Sequence, residues 1–323
     1  MTGSTTRDVL GAPYAAETID LRPDDEGAVV ATLVSRRVTD GRPRGAVLHV
    51  HGFCDYFFQT GLADFWIEQG YDFYAVDLRK HGRSLLPHQT PNFCRDVDEY
   101  AEDLDAVLER ITGRDGHARL ILSAHSTGGL IAPLWLDHLR AERGRSPVDA
   151  VVLNSPWLDL QGSMLMRTAG TQAIDQIGLR RPYAVVPRTV SGLYAEALHK
   201  DYRGEWEFDL AWKPRDSFPV RAGWLRAVRR GHRRVHRGID VGAPVLVLCS
   251  TRSSTPQHWN DDITSTDVVL DVRQIARWSH QLSRHVTIAR IDGAMHDVFA
   301  STEPVRKQAY DEIQRWLDYR LPD

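Results

Sequence analysis

Cysteine is scarce in this chain of 323 residues: Cys54, Cys94 and Cys249, an odd number, with no CxxC pair and no Cys/His metal-ligand spacing. That argues against a disulfide framework and a zinc site, and makes a reduced, cytoplasmic protein the default expectation. Lysine is almost as rare, found at Lys80, Lys200, Lys213 and Lys307, and arginine carries the other basic charge. With a net charge of −3, the chain lacks the basic excess of a nucleic-acid binder. Long apolar runs are missing too. The start, Met1 to Asp8, has no apolar core of a leader, and no stretch reaches membrane length. No transmembrane segment is expected, while peripheral contact with a membrane surface stays open. There is no internal repeat and no low-complexity segment.

What is present is an alternating pattern. Apolar residues make up 42% of the chain, enough for one large α/β domain or a domain with an insertion. Residues 1–13 read as a loose polar arm. Two strands flank the turn Pro23–Gly27, and 45–50 is a further strand running into His51-Gly52-Phe53. Residues 61–69 read as helix, 71–77 as strand and 97–111 as helix. Then come a strand at 119–124, a helix to about Arg143 and a buried strand at 148–154. Strands alternating with helices at this spacing indicate a mostly parallel, doubly wound sheet.

The pattern breaks after Ser155-Pro156. Residues 157–241 show helical fragments and many aromatics: Trp157, Tyr183, Tyr194, Tyr202, Trp206, Phe208, Trp212, Phe218 and Trp224. Strands resume at 244–249 and 286–291, and a helix closes the chain from Glu303 to about Tyr319. The expected organisation is a core of 1–156 and 242–323 around a mainly helical cap, 157–241. Most cap aromatics should form the cap's own small core, with two or three reaching a site. Arg226, Arg229, Arg230, Arg233, Arg234 and Arg237 read as a solvated helix face, offset by Glu205, Glu207, Asp209 and Asp216.

The segment that organises the rest is Leu120 to Gly129. An apolar strand runs into Ala124-His125-Ser126-Thr127-Gly128-Gly129 and a helix follows at once. A nucleophile exposed at such a corner needs small residues two before and two after it, so that strand and helix can pass closely. Ala124 and Gly128 stand there, and Ser126 is the candidate nucleophile; the alternative is a plain helix cap. A serine hydroxyl needs a base, and the carboxyl end of a strand is where a doubly wound sheet presents one. His296 follows the last strand. His125 is expected to point elsewhere.

An orienting acid should follow the strand ending at Cys249. Asp267, backed by the apolar run Val268-Val269-Leu270, is chosen; Asp262 and Asp271 are the alternatives, and Asp261-Asp262 lies in a polar run. Acyl transfer also requires donors for a developing oxyanion, here the backbone N–H groups of Phe53 and Thr127. Asp77-Leu78-Arg79 reads as a structural turn.

Four stretches together resemble the α/β-hydrolase superfamily, in its lysophospholipase, monoacylglycerol-lipase and serine-aminopeptidase-like branch. They are His51-Gly52, Asp77 to Ser84, the elbow at 124–129 and Gly293-Ala294-Met295-His296-Asp297. Two departures stand out: Ala124 in place of the usual glycine, and no Gly-x-x-Asp after the penultimate core strand. The resemblance implies hydrolysis of a carboxylic ester or similar acyl bond through an acyl-enzyme, with no metal or organic cofactor. A small-molecule ester, monoacyl lipid or lysophospholipid is the expected substrate. Amide or peptide cleavage is one alternative; a non-catalytic small-molecule binder of the same fold is the other. Oligomeric state is not legible.

Overall fold

The computed structural model describes residues 5–160, 174–187 and 192–321. Among them nine strands form one sheet, in the order β1-β2-β3-β5-β4-β6-β7-β8-β9. β1 (Thr5–Arg7), β2 (Ala15–Asp24) and β3 (Gly27–Arg36) are antiparallel, and β3 also meets β5 antiparallel. The remaining pairs are parallel: β4 (Gly45–Val50), β5 (Tyr71–Asp77), β6 (Leu120–His125), β7 (Ala150–Asn154), β8 (Val245–Ser250) and β9 (Val286–Ile291). From β4 the chain moves to one side to make β5, then crosses to the other side to make β6. This reversal opens a crevice beyond the carboxyl ends of β4 and β6, where such sheets bind ligands.

Every residue of β4 to β8 is buried, as expected of strands covered on both faces. Alternate side chains divide between two cores. Leu48, Leu122, Val151 and Val247 pack with α2 (Tyr100–Leu108), α3 (Gly128–Arg143), α6 (Ala222–His236) and α7 (Val272–Ser279). Val47, Ile121, Val152 and Leu246 pack with α1 (Thr60–Glu68) and α8 (Glu303–Arg320). A third, smaller core joins α5 (Leu193–Leu198) and Phe208 to Tyr56, Phe58, Ile263 and Met295. A further helix, α4, covers 174–180.

The expected strands and helices are present, with three differences. The polar arm contains β1, whose residues pair with β2 through backbone hydrogen bonds. The helix after Val97 begins as a 3₁₀ turn and ends in a π-helical stretch, Glu109–Arg114. Between β8 and β9 lies α7, a short helix capped by the Asp271 carboxylate.

Within 157–241, residues 161–173 and 188–191 lie outside the described residues. In α6, Trp224, Leu225, Ala227 and Val228 join the main core beside α3, as do Trp157, Leu158 and Val220 before it. Its arginines also have partners other than those expected. Arg229 is buried and pairs with Asp159, while Arg230, Arg233 and Arg234 pair with Asp96, Asp175 and Asp98. Glu205, Glu207 and Asp216 pair instead with Arg306, Lys200 and Arg215, and the Asp209 carboxylate accepts the Ala211 N–H. The reason is geometric: α6 lies against the 96–98 turn, where acids distant in sequence face it.

Burial also sets an acid limit on the fold. Desolvation drives the His49, His81 and His232 imidazoles down to about 3, from 6.5. Between these values the unfolded chain binds protons that the native state refuses. The contribution of these three groups is therefore fully present above pH 6.5 and is lost as pH drops towards 3. Asp103, pushed up to about 6 by burial despite Arg79, offsets one such proton between pH 6 and 3.8. Urea unfolding at pH 7, 6 and 5 should show a midpoint that falls continuously; a flat profile would refute this account.

Candidate active site

Ser126 follows β6 directly, with a left-handed backbone, φ +52°. Its N–H donates to the Asn154 carbonyl at 3.0 Å, and its own carbonyl accepts Trp157 N–H at 2.9 Å and Gly129 N–H at 3.0 Å. These bonds hold a conformation that a residue with a Cβ adopts only at a cost. The requirement for small neighbours is met without slack. A Cβ on Gly128 would sit 2.4 Å from the His51 carbonyl oxygen, and one on Gly129 2.7 Å from Pro156 Cβ. Ala124 is accommodated in the sheet, fully buried between Val50 and Leu153.

The structure brings Ser126, His296 and Asp267 together. His296 Nε2 lies 3.0 Å from Ser126 Oγ, and His296 Nδ1 lies 3.0 Å from Asp267 Oδ2. The other Asp267 oxygen accepts the Val269 and Leu270 N–H groups at 2.9 and 2.7 Å, which fixes the carboxylate in a fully buried position. The chain reaches Asp267 by a detour. After β8 it leaves the sheet, makes the turn Asp261–Thr264, and returns so that Ser253 and Asp267 pair across a β-bridge. That excursion is why no acid stands immediately after the strand. The alternatives are engaged elsewhere: Asp262 with Arg252 at 2.9 Å, and Asp271 as the α7 cap.

The loop bearing His296 is tied to β7 and α1. Asp297 accepts Asn154 Nδ2 at 2.6 Å and Gln59 Nε2 at 2.8 Å, and Asn154 Oδ1 accepts Val298 N–H at 3.0 Å. Tyr194, from α5, accepts Asp297 N–H at 3.2 Å, and its ring meets the His296 ring edge-on, with 5.7 Å between centroids.

Phe53 and Thr127 line the same cavity as Ser126 and His296. Among the described residues, neither backbone N–H has an acceptor. The turn preceding Phe53 abuts the serine, since a Cβ on Gly52 would lie 3.0 Å from Ser126 Cβ. His51 braces this turn, accepting Leu78 N–H at 3.0 Å through Nε2 and donating from Nδ1 to the Gly52 carbonyl at 2.7 Å. The Asp77–Arg79 turn is structural, as expected: Asp77 pairs with Arg83, and Arg79 with Asp103 and Glu102.

The cavity has a volume of about 270 Å³. Phe53, Trp157, Val220, Trp224, Leu225 and Leu270 make much of its wall. Of the aromatics in 157–241, Trp157, Tyr194 and Trp224 reach it; Trp206, Phe208 and Trp212 belong to the third core.

Sequence reasoning missed a polar group in the same wall. Asp55 Oδ1 lies 2.8 Å from Lys213 Nζ, and Asp55 Oδ2 lies 3.4 Å from His125 Nδ1. His125 thus faces the site instead of pointing elsewhere, its ring centroid 4.9 Å from that of His296. Burial alone would raise the Asp55 carboxyl, but Lys213 and then His125 outweigh it and hold the carboxyl well below its ordinary range. For His125, burial opposes the charged form, while the Asp297 and Asp55 carboxylates outweigh it and raise the imidazole. Asp55 stands four residues after His51, a position the sequence reading did not weigh.

A family model described as serine aminopeptidase, S33, matches residues 41–303. The chain belongs to that family. Membership makes it a hydrolase of the α/β-hydrolase fold, and solved structures agree on the fold. A soluble variant of monoglyceride lipase from Saccharomyces cerevisiae, in complex with a substrate analog, superposes with a TM-score of 0.68 at 15% identity, covering 94% of this chain and 96% of that one. The monoacylglycerol lipase of Paleococcus ferrophilus gives 0.62 at 20% identity, covering 88% and 99%. Est1E from Butyrivibrio proteoclasticus, bound to ferulic acid, gives 0.58 at 14% identity, covering 94% and 100%. No curated protein shows significant similarity to this S33 family member. Among its described residues, no helix is long and apolar enough to cross a membrane.

Proposed function

We propose that this protein is a serine hydrolase of carboxylic esters with one acyl chain, of the monoacylglycerol or lysophospholipid kind. The observation that carries the reading is the unbroken hydrogen-bond chain Ser126–His296–Asp267, at 3.0 Å in each link, opening on an apolar cavity. His296 Nε2 takes the Ser126 proton as Oγ attacks the ester carbonyl carbon. The carbonyl oxygen becomes an oxyanion and is met by the Phe53 and Thr127 N–H groups. Collapse expels the alcohol, which leaves with the proton from His296. Water then attacks the acyl-enzyme, giving up a proton to His296, and the second tetrahedral intermediate releases the carboxylic acid and restores Ser126. Asp267 accepts a hydrogen bond from Nδ1–H throughout and stabilises the imidazolium without becoming protonated.

The likeness to monoacylglycerol lipases and the apolar cavity wall support a monoacyl substrate. The family description raises aminopeptidase activity, which needs a carboxylate to anchor a free amine. Among the described residues lining the cavity, the carboxylate is Asp55, and Lys213 already neutralises it. That favours esters. The stretch from α5 to the start of α6 would act as the cover over the acyl chain.

A fluorophosphonate probe with peptide mapping, followed by hydrolysis of monoacyl and diacyl lipids, tests the proposal. Ser126 should carry the label, and monoacyl substrates should turn over faster. A folded protein that is unlabelled, or is labelled elsewhere, overturns the enzymatic reading and leaves a ligand-binding role.

A further inference from the structure

Residues 53–58 run along residues 206–224 contact by contact. The Phe53 ring packs on Trp224, with 4.1 Å between centroids. Cys54 is buried and lines the same cavity as Ser217. Asp55 Oδ1 meets Lys213 Nζ at 2.8 Å. Tyr56 Oη accepts Asp209 N–H at 2.6 Å, and the Phe58 and Phe208 rings are 4.8 Å apart. Cys54 itself has φ +50°, a left-handed conformation unfavourable for a residue with a Cβ, so the turn carrying the Phe53 N–H must be held in place from outside.

Among these contacts, the Asp55–Lys213 pair joins opposite charges away from water. Both residues are buried, and the Lys213 ammonium also lies over the Phe58 and Phe208 rings, at 5.5 and 5.7 Å. The pair continues to His125, whose Nε2 is buried with no partner among the described residues. Asp55 stands two residues after Phe53, and His125 two residues before Thr127. One ammonium group thus braces both turns that present oxyanion donors.

We propose that Lys213 is a positioning residue for the oxyanion hole: through Asp55 and His125 it holds the Phe53 and Thr127 N–H groups where a tetrahedral intermediate needs them. This rests on the serine-hydrolase reading. Lys213 touches no reacting atom in that reading, so its effect is on kcat.

The test compares Lys213→Met, Lys213→Arg and the double variant Asp55→Asn/Lys213→Met with wild type. The single methionine variant leaves a buried carboxylate unpaired and is at risk of misfolding; the double variant removes both charges and keeps the question answerable. In the folded double variant, kcat on a monoacyl ester should fall about 10- to 100-fold, the scale of a donor misplaced by about 1 Å, with KM little changed. A trifluoromethyl ketone, which forms a tetrahedral adduct on the serine, should lose affinity by the same factor, while the product carboxylic acid binds as before. Lys213→Arg, which keeps the charge, should recover most of kcat.

A folded double variant with wild-type kcat overturns the proposal. So does a rise in KM at unchanged kcat, which would put Lys213 against the substrate, and so does an equal loss of ketone and product binding, which would mark a general structural role. Failure of wild type to take up the fluorophosphonate is a different result and defeats the enzymatic reading instead.

Discussion

Alanine at position 126 is expected to lower kcat on a monoacyl ester by about 10⁶-fold, the loss found when a serine nucleophile is removed from a working triad. The fold should survive, because alanine keeps the Cβ already tolerated at φ +52°, and the bonds at this corner are made by backbone groups. Stability should stay within about 1 kcal/mol of wild type. Binding should survive as well, since the cavity wall and the Phe53 and Thr127 N–H groups remain. Kinetics on matched wild-type and Ser126→Ala protein, with an active-site titration to exclude contamination, decides the matter. Turnover within tenfold of wild type would place the chemistry elsewhere.

Asp267→Asn is expected to cost about 10⁴-fold in kcat. The amide keeps the shape of the carboxylate and its acceptor oxygen can still serve Val269 and Leu270. Its NH₂ then faces His296 Nδ1, which favours the tautomer with the proton on Nε2 and leaves that nitrogen unable to take the Ser126 proton. The charge that stabilised the imidazolium is lost with it. Asp262→Asn should leave kcat within about twofold, because Asp262 faces Arg252 at the surface. Asp271→Asn should also spare kcat, since asparagine caps a helix as well as aspartate does. An Asp267→Asn enzyme with near wild-type rate would mean that His296 is oriented by something else.

These two predictions differ in how far sequence could reach. Ser126 is legible because its demands are local: an apolar strand, two small neighbours and an immediate helix. His296 is legible from its place after the last strand. Asp267 depends on a detour that returns to the end of β8 by a single bridge, Ser253 to Asp267, and nothing in the intervening polar run announces it. β1 is three residues of Thr and Arg joined to β2 by its backbone, with no apolar alternation to betray it. α7 is short, and its exposed face of Arg273 and Arg277 hides the buried Val272 and Ile275. The Asp55–Lys213 pair spans 158 positions, and the α6 arginines find Asp96 and Asp98 across the chain. Electrostatic partners of that kind are set by how the elements dock, which composition does not encode.

Asn154 has a consequence for the whole arrangement. The proposed nucleophile and its two donors stand on neighbouring β6 and β4, while the proposed acid and base follow neighbouring β8 and β9, and β7 lies between the pairs. Each pair is kept in register by its own ladder, at a spacing of about 4.8 Å between strands. The gap between the pairs is spanned by β7, laddered to β6 and to β8, and Asn154 at its end reaches both sides. The Asn154 carbonyl receives the Ser126 N–H, and its side-chain amide grips the loop after His296 from both ends. The 3.0 Å separation of His296 Nε2 from Ser126 Oγ is therefore tied to the width of the central sheet, with Asn154 as one of the links that transmit it.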